Sequence, residues 1–426
     1  MTHPMKYSLL ISLLPVFSSL AQDPEPGTAA AAGFEDPPVL KASEILKPEF
    51  LSGDGWKVQE DVPTWAGRNT YMLETEFGNF EVEGNAMLAR RIPEIAAIRQ
   101  LKSISKSDEY KKALKAAAKS PLVAAKQLVE HPVKTVTGIP KGIFKMVGRA
   151  GNSIKNAAQG REKSPYEDSS TQQMLGFSKA KRELAAKLGV DPYSSNPALQ
   201  EELNGHSWTA FAAKATFAVA TIPIGGAVGS ALTVTNVTTT FNNALRDKSP
   251  ADLRIMNEGI LQKLGCGVAE SESFLGNHAF SPSAQTAFVL NLNELKGVKS
   301  IPQLVQLANE QSAEEGDALF FVETSRILAQ INAKDAPLHA VGAFDVLPVA
   351  WAKDGRLILA VEWDYASWTQ RAADFVTRFK EAKIGDTAAP KGHVIALSGF
   401  ASPLAEAGVK KAGVALTTGV SPGPLK

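Results

Sequence analysis

One pair of acidic residues in this sequence has the types and spacing for acid–base chemistry. Glu362 and Asp364 flank Trp363 on a predicted strand, so both carboxyls point to one face. Two such groups can act as acid and base when their environments separate their pKa values. On a half-exposed strand, however, such a pair is usually solvated, and this is the interpretation we favour. An enzyme assembled from distant residues, with His339 near this pair, is the third hypothesis for function.

Other catalytic patterns each lack a part that their chemistry needs. The six histidines include no i,i+4 pair and no His-Glu-x-x-His, so no zinc site is indicated. Residues 419–423 match Gly-x-Ser-x-Gly, but Pro422 follows the serine and has no amide for an oxyanion. Residues 225–229 lack the lysine of a phosphate-binding loop. We therefore predict no catalytic residue, no cofactor and no metal.

A strongly basic stretch is the feature on which the functional prediction depends. Residues 99–163 carry 15 Lys and Arg against 4 Asp and Glu, and residues 131–161 contain no acid. The whole chain is nearly neutral, with 45 basic and 44 acidic residues, so the remainder is acidic. A repeat near eleven residues keeps one apolar face aligned along a helix. The pattern predicts an amphipathic helix with basic flanks.

Such a helix suits an anionic membrane surface, where each basic residue contributes about 1 kcal/mol. The alternative is that the stretch docks on the acidic remainder of the protein or on an acidic partner. Nucleic acid is a poorer partner, because export removes it and no aromatic residues interleave the lysines. The residues predicted to contact the membrane or a partner are Lys134, Lys141, Ile143, Phe144, Lys145, Val147, Arg149 and Ile154.

An uncharged stretch rich in Ala, Gly and Thr covers residues 215–245. Within it, residues 217–237 are long enough to cross a bilayer. Small residues spaced four apart permit close helix–helix approach, whereas Pro223 and the threonines weaken the hydrophobicity. We favour a buried helical hairpin turning at residues 223–226. A membrane-inserted segment and an oligomer contact stay open.

The first residues predict export. Lys6, an apolar run and Ser19-Leu20-Ala21 give residues 1–21 the pattern of a signal peptide. Residues 22–40 are rich in Pro, Ala and Gly and form a predicted flexible linker. The expected location is therefore periplasmic or membrane-associated, or extracellular. Cys266 is the single cysteine, so no intrachain disulfide can form.

Periodicity predicts an α+β fold with a predominantly helical central region and small β-hairpin elements near the N- and C-terminal ends. Ser-Pro pairs mark helix starts at Ser120, Ser249, Ser281 and Ser402, and the last of them precedes a predicted helix from Pro403 to Lys411. Gly78-Asn79 and Asp354-Gly355 predict hairpin turns, and Pro348 places the strand before the second turn near a sheet edge. Gly189 predicts the end of a helix, and an apolar residue recurs on one helical face from Leu88 to Ile104. The expected segments are a small β-rich segment at 41–92, a basic amphipathic region at 93–165, a helical domain at 166–341 and an α/β segment at 342–426.

Four short runs resemble a group of exported bacterial proteins that has no assigned activity. They are residues 77–84, 132–142, 188–193 and 247–250. Because the group has no assigned activity, the resemblance implies no functional residue. The leading hypothesis is therefore an exported, non-enzymatic envelope protein that associates with a membrane surface. A soluble periplasmic scaffold or binding protein is the alternative.

Overall fold

The computed structural model describes residues 33–118, 144–145, 176–214, 216, 218–219, 232–233, 235–383 and 389–426. It confirms the predicted α+β class, with helices in the centre and strands towards both ends. The predicted membrane-length stretch at 217–237 falls largely outside the described residues. None of the helices in the described part of the chain is both long and apolar enough to cross a membrane.

The first β region is a mostly antiparallel sheet centred on its longest strand. Its strands are β1 Val39–Lys41, β2 Ser52–Gly53, β3 Trp56–Val58, β4 Asp61–Trp65, β5 Arg68–Thr75, β6 Gly78–Glu83 and β7 Phe144–Lys145. The order is β1-β4-β5-β3-β2, with β6 also paired to β5 and β7 parallel to β6. The turn predicted at Gly78-Asn79 lies two residues earlier. Thr75 pairs directly with Gly78, so Glu76 and Phe77 form the turn.

The β4–β5 hairpin has a two-residue turn with positive φ at both positions. Ala66 has φ 48° and Gly67 has φ 83°, as a tight turn between twisted strands requires. This turn lies between Trp65 and Arg68, and it also lines the candidate functional site. The β region also contains helix α1, Ala42–Ile45, and a 3₁₀ turn, Pro48–Phe50.

The central helices run from the end of the first sheet to the start of the second. They are α2 Asn85–Ser105, α3 Asp108–Ala118, α4 Phe177–Leu188, α5 Pro197–Ala213, α6 Thr238–Asp247, α7 Pro250–Lys263, α8 Val268–Leu275, α9 Pro282–Asn293, α10 Ile301–Gln311 and α11 Glu315–Lys334. Ser249 and Asp252 form the expected capping box, and Ser281 caps α9. Helix α4 ends at Gly189 in the left-handed conformation, as predicted.

A second, mixed sheet follows. Its region contains β8 Leu338–Phe344, β9 Leu347–Ala352, β10 Arg356–Val361, β11 Tyr365–Ala366, α12 Gln370–Lys380, β12 Gly392–Leu397, β13 Phe400–Ala401, α13 Pro403–Lys411 and β14 Ala415–Thr417. The strand order is β14-β12-β10-β9-β8, and β11 pairs separately with β13. Strands β10, β12 and β14 are parallel, with α13 as the crossover between the last two.

One sequence expectation for this sheet is wrong. Pro348 was expected near a sheet edge because proline cannot donate a ladder hydrogen bond. Instead it lies on β9, between β8 and β10. The register explains how the position is tolerated: the pairing of β9 with β10 ends at Val349, so Pro348 faces only Ala343 of β8.

Helix α2 contributes to two separate clusters of the core. Its first turns, with Leu88 and Ile92, pack in the cluster beneath the first sheet. Its later turns, with Ile98 and Leu101, pack against α4 and α5. A larger cluster unites α6 to α11 with the second sheet. The predicted apolar face of α2 is therefore buried, and its N-terminal end is fixed beside the second sheet.

Candidate functional site

A cavity of about 1220 Å³ lies where the first sheet, the start of α11 and the region after β10 meet. The β4–β5 turn forms one wall, and α12 and α13 close it over the second sheet. Among the described residues that line it, seven are aromatic, ten are acidic and four are arginines. A concave site with aromatic side chains in its lining is a common form of small-molecule site, and this one carries more charged residues than most.

Three of the six tryptophans line this cavity: Trp65, Trp363 and Trp368. Two of them pack flush against glycine backbones. A Cβ at Gly67 would lie 2.8 Å from Cγ of Trp363, and one at Gly408 would lie 2.2 Å from Cε2 of Trp368. Since real Cβ atoms do not come so close, only glycine permits these indole positions. The aromatic wall is therefore held in place by backbone contacts.

Asp364 connects the second region to the first sheet and to α2. Its carboxylate accepts hydrogen bonds from the backbone amides of Asn69, at 2.8 Å, and Asn85, at 3.1 Å. Because Asn85 is the first residue of α2, Asp364 serves as an acceptor at the positive end of that helix. Burial raises the pKa of Asp364, and the two amides oppose this effect. Its role is structural, since its carboxylate is occupied by backbone donors.

Glu362 is placed differently. It is only 5% exposed, yet it lines the cavity and has no hydrogen-bond partner among the described residues. Burial is the main cause that raises the pKa of Glu362, to about 8, and Asp364 adds to it. The Arg68 guanidinium opposes the shift, but it donates to the carbonyl of Gly316 rather than to Glu362. At neutral pH, Glu362 is therefore a protonated carboxyl that can offer a hydrogen bond to a ligand.

The prediction that Glu362 and Asp364 are solvated on a half-exposed strand is wrong. Strand β10 ends at Val361, and both acids follow it in buried positions. His339, grouped with them in the enzyme hypothesis, is instead exposed on β8, where its carbonyl accepts from the amide of Lys299. The structure thus brings together the two carboxyls and leaves His339 outside the described lining of the cavity.

A buried ionic network adjoins the cavity. Arg90 lies 3.0 Å from Asp191 and 3.3 Å from Glu315, and Arg91 lies 2.9 Å from Glu94. The four side chains other than Glu315 are at most 3% exposed. Serine and asparagine side chains add hydrogen bonds to the network: Ser194, Ser195, Asn196 and Ser283. Arg91 and Glu315 also line the cavity, so this network supports its wall.

The chain segment that precedes β1 forms another part of the wall. Phe34 to Pro37 line the cavity. The backbone of Glu35 donates to the carbonyl of Trp368 at 3.1 Å. Its carboxylate accepts from the amide of Trp368 at 2.5 Å and from the hydroxyl of Ser402. This segment therefore crosses from the second region to the first sheet along one side of the cavity.

Most of the predicted membrane-contact residues fall outside the part of the chain that the structure describes. Lys134, Lys141, Ile143, Val147, Arg149 and Ile154 lie outside the described residues. For Phe144 and Lys145 the backbone forms β7, parallel to β6, instead of the helix that we expected. Membrane association stays a prediction. No group of three or more potential metal ligands is present in the part of the chain that the structure describes.

Sequence reasoning missed most of the cavity. The nearest signal was the run from Glu362 to Trp368, in which two acids alternate with large aromatics after a strand. Nothing in the sequence links Asp364 to Asn69 and Asn85, which lie 295 and 279 positions away. The glycines beneath the indoles were equally hidden, because turns and helices contain many glycines for other reasons.

No family model, no curated protein and no solved structure matches this chain. The resemblance to exported bacterial proteins stays a prediction.

Proposed function

We propose that this protein is a binding protein that encloses a small organic molecule with an apolar or aromatic body. The observation that carries the proposal is the cavity of about 1220 Å³, lined by seven aromatic residues and by the buried carboxyl of Glu362. Its volume is slightly above the range of roughly 300–1,000 Å³ that is common for ligand sites. It differs from the binding-protein alternative drawn from the sequence, in which the basic stretch docks on an acidic face or partner.

The arrangement of the two carboxyls favours binding over acid–base catalysis. An acid–base pair needs both groups available to the substrate. Asp364 accepts hydrogen bonds from two backbone amides, so its carboxylate is used in fixing α2. Glu362 alone faces the cavity, where a protonated carboxyl fixes the orientation of a polar group on a ligand. The aromatic wall then supplies most of the buried area.

The uncharged dye N-phenyl-1-naphthylamine tests this proposal, because its fluorescence rises in an apolar site. We expect saturable binding of one dye per chain. Replacing Ala372, a lining residue of α12, by Trp fills the cavity and should weaken binding about tenfold or more, equivalent to about 1.4 kcal/mol. The matched control is Ala373→Trp, on the same helix but outside the lining. Absence of saturable binding, or equal losses in both variants, would reject the proposal.

A second candidate function is association with an anionic membrane, which the acid-free stretch at 131–161 favours. An apolar stripe flanked by lysines binds such a surface electrostatically and by burial of its apolar face. Flotation with anionic vesicles at low salt tests it directly. We expect co-flotation that is lost with neutral vesicles; failure to float with anionic vesicles would reject this candidate and leave the binding proposal unaffected.

A further inference from the structure

We propose that the ligand of the cavity is an organic cation, an ammonium or similar group on an apolar body, with its charge near Glu362 and the tryptophans. This inference deepens the proposed binding function and rests on it. Three independent features of the site carry it: the sign of the charge on the lining, the fixed indoles, and a buried acid that lacks a partner.

The lining is strongly biased towards negative charge. Ten acids face four arginines among the described lining residues, and no lysine is found among them. The positive charge is also partly used within the protein, since Arg68 donates to a carbonyl, Arg91 pairs with Glu94, and Arg378 pairs with Asp345. Field lines focus in a cleft with low-dielectric walls, so this excess of acid attracts cations and repels anions. An anionic ligand would enter against this field.

The aromatic wall suits the same class of ligand. Trp363 and Trp368 are fixed by their contacts with Gly67 and Gly408. A cation over the face of an indole is attracted by the negative face of the ring, most strongly where water is excluded. Because the rings are already held in position, little side-chain entropy is lost when a cation docks.

Glu362 supplies a specific counter-charge. Its buried carboxyl lines the cavity without a hydrogen bond among the described residues. The charged groups that face it are Asp364 from the same segment, Arg68 from β5, and Glu323 and Arg326 from α11. Arg326 is paired with Glu323, and Arg68 with a backbone carbonyl. A bound cation would therefore supply the ion-pair partner that neither arginine provides to Glu362.

Binding of a cation should therefore displace a proton. Burial raises the pKa of the Glu362 carboxyl, so it is protonated in the empty site. An opposite charge within a few ångströms favours the ionised form. The proton leaves to solvent, and the carboxylate and the cation form the pair. Affinity should then rise with pH until Glu362 is ionised in the empty site.

Two probes of the same shape separate charge from apolar burial. Benzyltrimethylammonium carries the cation, and neopentylbenzene is its uncharged isostere. We expect the cation to displace N-phenyl-1-naphthylamine about tenfold more strongly than the isostere at pH 8, equivalent to one decade in affinity. Calorimetry in two buffers of different ionisation enthalpy should show proton release with the cation alone.

Glu362→Gln is the decisive variant, because it keeps the shape and removes the ionisable group. It should abolish proton release and lower the affinity for the cation about tenfold, with the isostere unchanged. Glu381→Gln, exposed and outside the described lining, is the matched control and should behave as the parent protein. Equal affinity for both probes, or an unchanged cation preference in Glu362→Gln, would overturn the inference. If the uncharged dye also fails to bind, the binding function itself is rejected.

Discussion

Two groups of buried charges share helix α2, and they are built in opposite ways. In the ionic network, Arg90 on α2 lies within salt-bridge distance of Asp191 and Glu315, and its neighbour Arg91 lies within that distance of Glu94 and Glu315. At the start of the same helix, Asp364 is satisfied by amides, while Glu362 has no ion pair among the described residues. Both groups are removed from water, but only one has matched its charges internally.

The difference teaches what burial does in each case. A paired buried charge holds elements together, and removing one partner exposes the desolvation penalty of the other. An unpaired buried acid instead keeps its proton, because ionisation in a low dielectric is unfavourable. The network is therefore a structural device. Glu362 destabilises the fold when it is ionised. An unpaired buried acid of this kind therefore suits a position where a ligand contacts its carboxyl group.

The largest effect should come from breaking the network. Arg90→Met leaves Asp191 and Glu315 buried with one cation fewer, and we expect a loss of about 3–5 kcal/mol in the free energy of unfolding. Urea denaturation measures it. The control is Arg356→Met, whose pairs with Asp335 and Asp354 are largely exposed, and which should change stability by less than about 1 kcal/mol. Similar losses in both variants would contradict the comparison.

Glu362→Gln should change stability in the opposite direction, and only at higher pH. Since the folded-state pKa of Glu362 is raised to about 8, the folded protein binds a proton that the unfolded chain releases above its ordinary value. The contribution of Glu362 to the free energy of unfolding is therefore complete below pH 4.5 and is lost as pH rises towards 8, by about 1 kcal/mol per pH unit.

The glutamine variant removes this slope, so it should equal the parent protein in acid and exceed it in stability at alkaline pH. Urea denaturation as a function of pH measures both slopes. The residual slope belongs to Asp364, whose pKa is raised for the same reason. Glu381→Gln serves again as control. A variant less stable than the parent at alkaline pH would show that Glu362 is paired after all.

The smallest loss of stability should come from removing a single neutral hydrogen-bond donor from the ionic network. The hydroxyl of Ser283 donates to Asp191, which also accepts from Arg90 and from the amide of Tyr193. Ser283→Ala removes one of these donors, and we expect a loss of about 2 kcal/mol. Ser273→Ala, which removes an exposed hydrogen bond to Asn309, should have a clearly smaller effect in the same thermal or urea measurement. A loss as large as that of Arg90→Met would indicate that the network acts as one unit.

The parts of the fold that the sequence predicted are those decided by a few neighbouring residues. The capping box of Ser249 and Asp252, the hairpin at Asp354-Gly355 and the helix from Pro403 to Lys411 each depend on contacts within one or two turns. Their physical rules operate locally, so the pattern of residue types is sufficient.

The candidate site could not be predicted in the same way. Glu362 and Asp364 were noticed for their spacing, yet their burial depends on α2 and the first sheet, which are distant in the chain. The charge of a buried acid is decided by its environment rather than by its neighbours in sequence. The prediction for Pro348 was wrong for a related reason. Whether the sheet tolerates a proline there depends on where the pairing of β9 with β10 ends.

The position of Glu35 has a consequence for the rate at which a ligand exchanges. The wall that it anchors is a short length of chain outside any sheet, tied to Trp368 and Ser402 by a few hydrogen bonds. Detaching it would require neither sheet to separate, so a molecule inside could leave through a local opening far less demanding than global unfolding. The residence time of a ligand would then be set by the rate at which this segment detaches, independently of the contacts that the ligand makes inside the cavity.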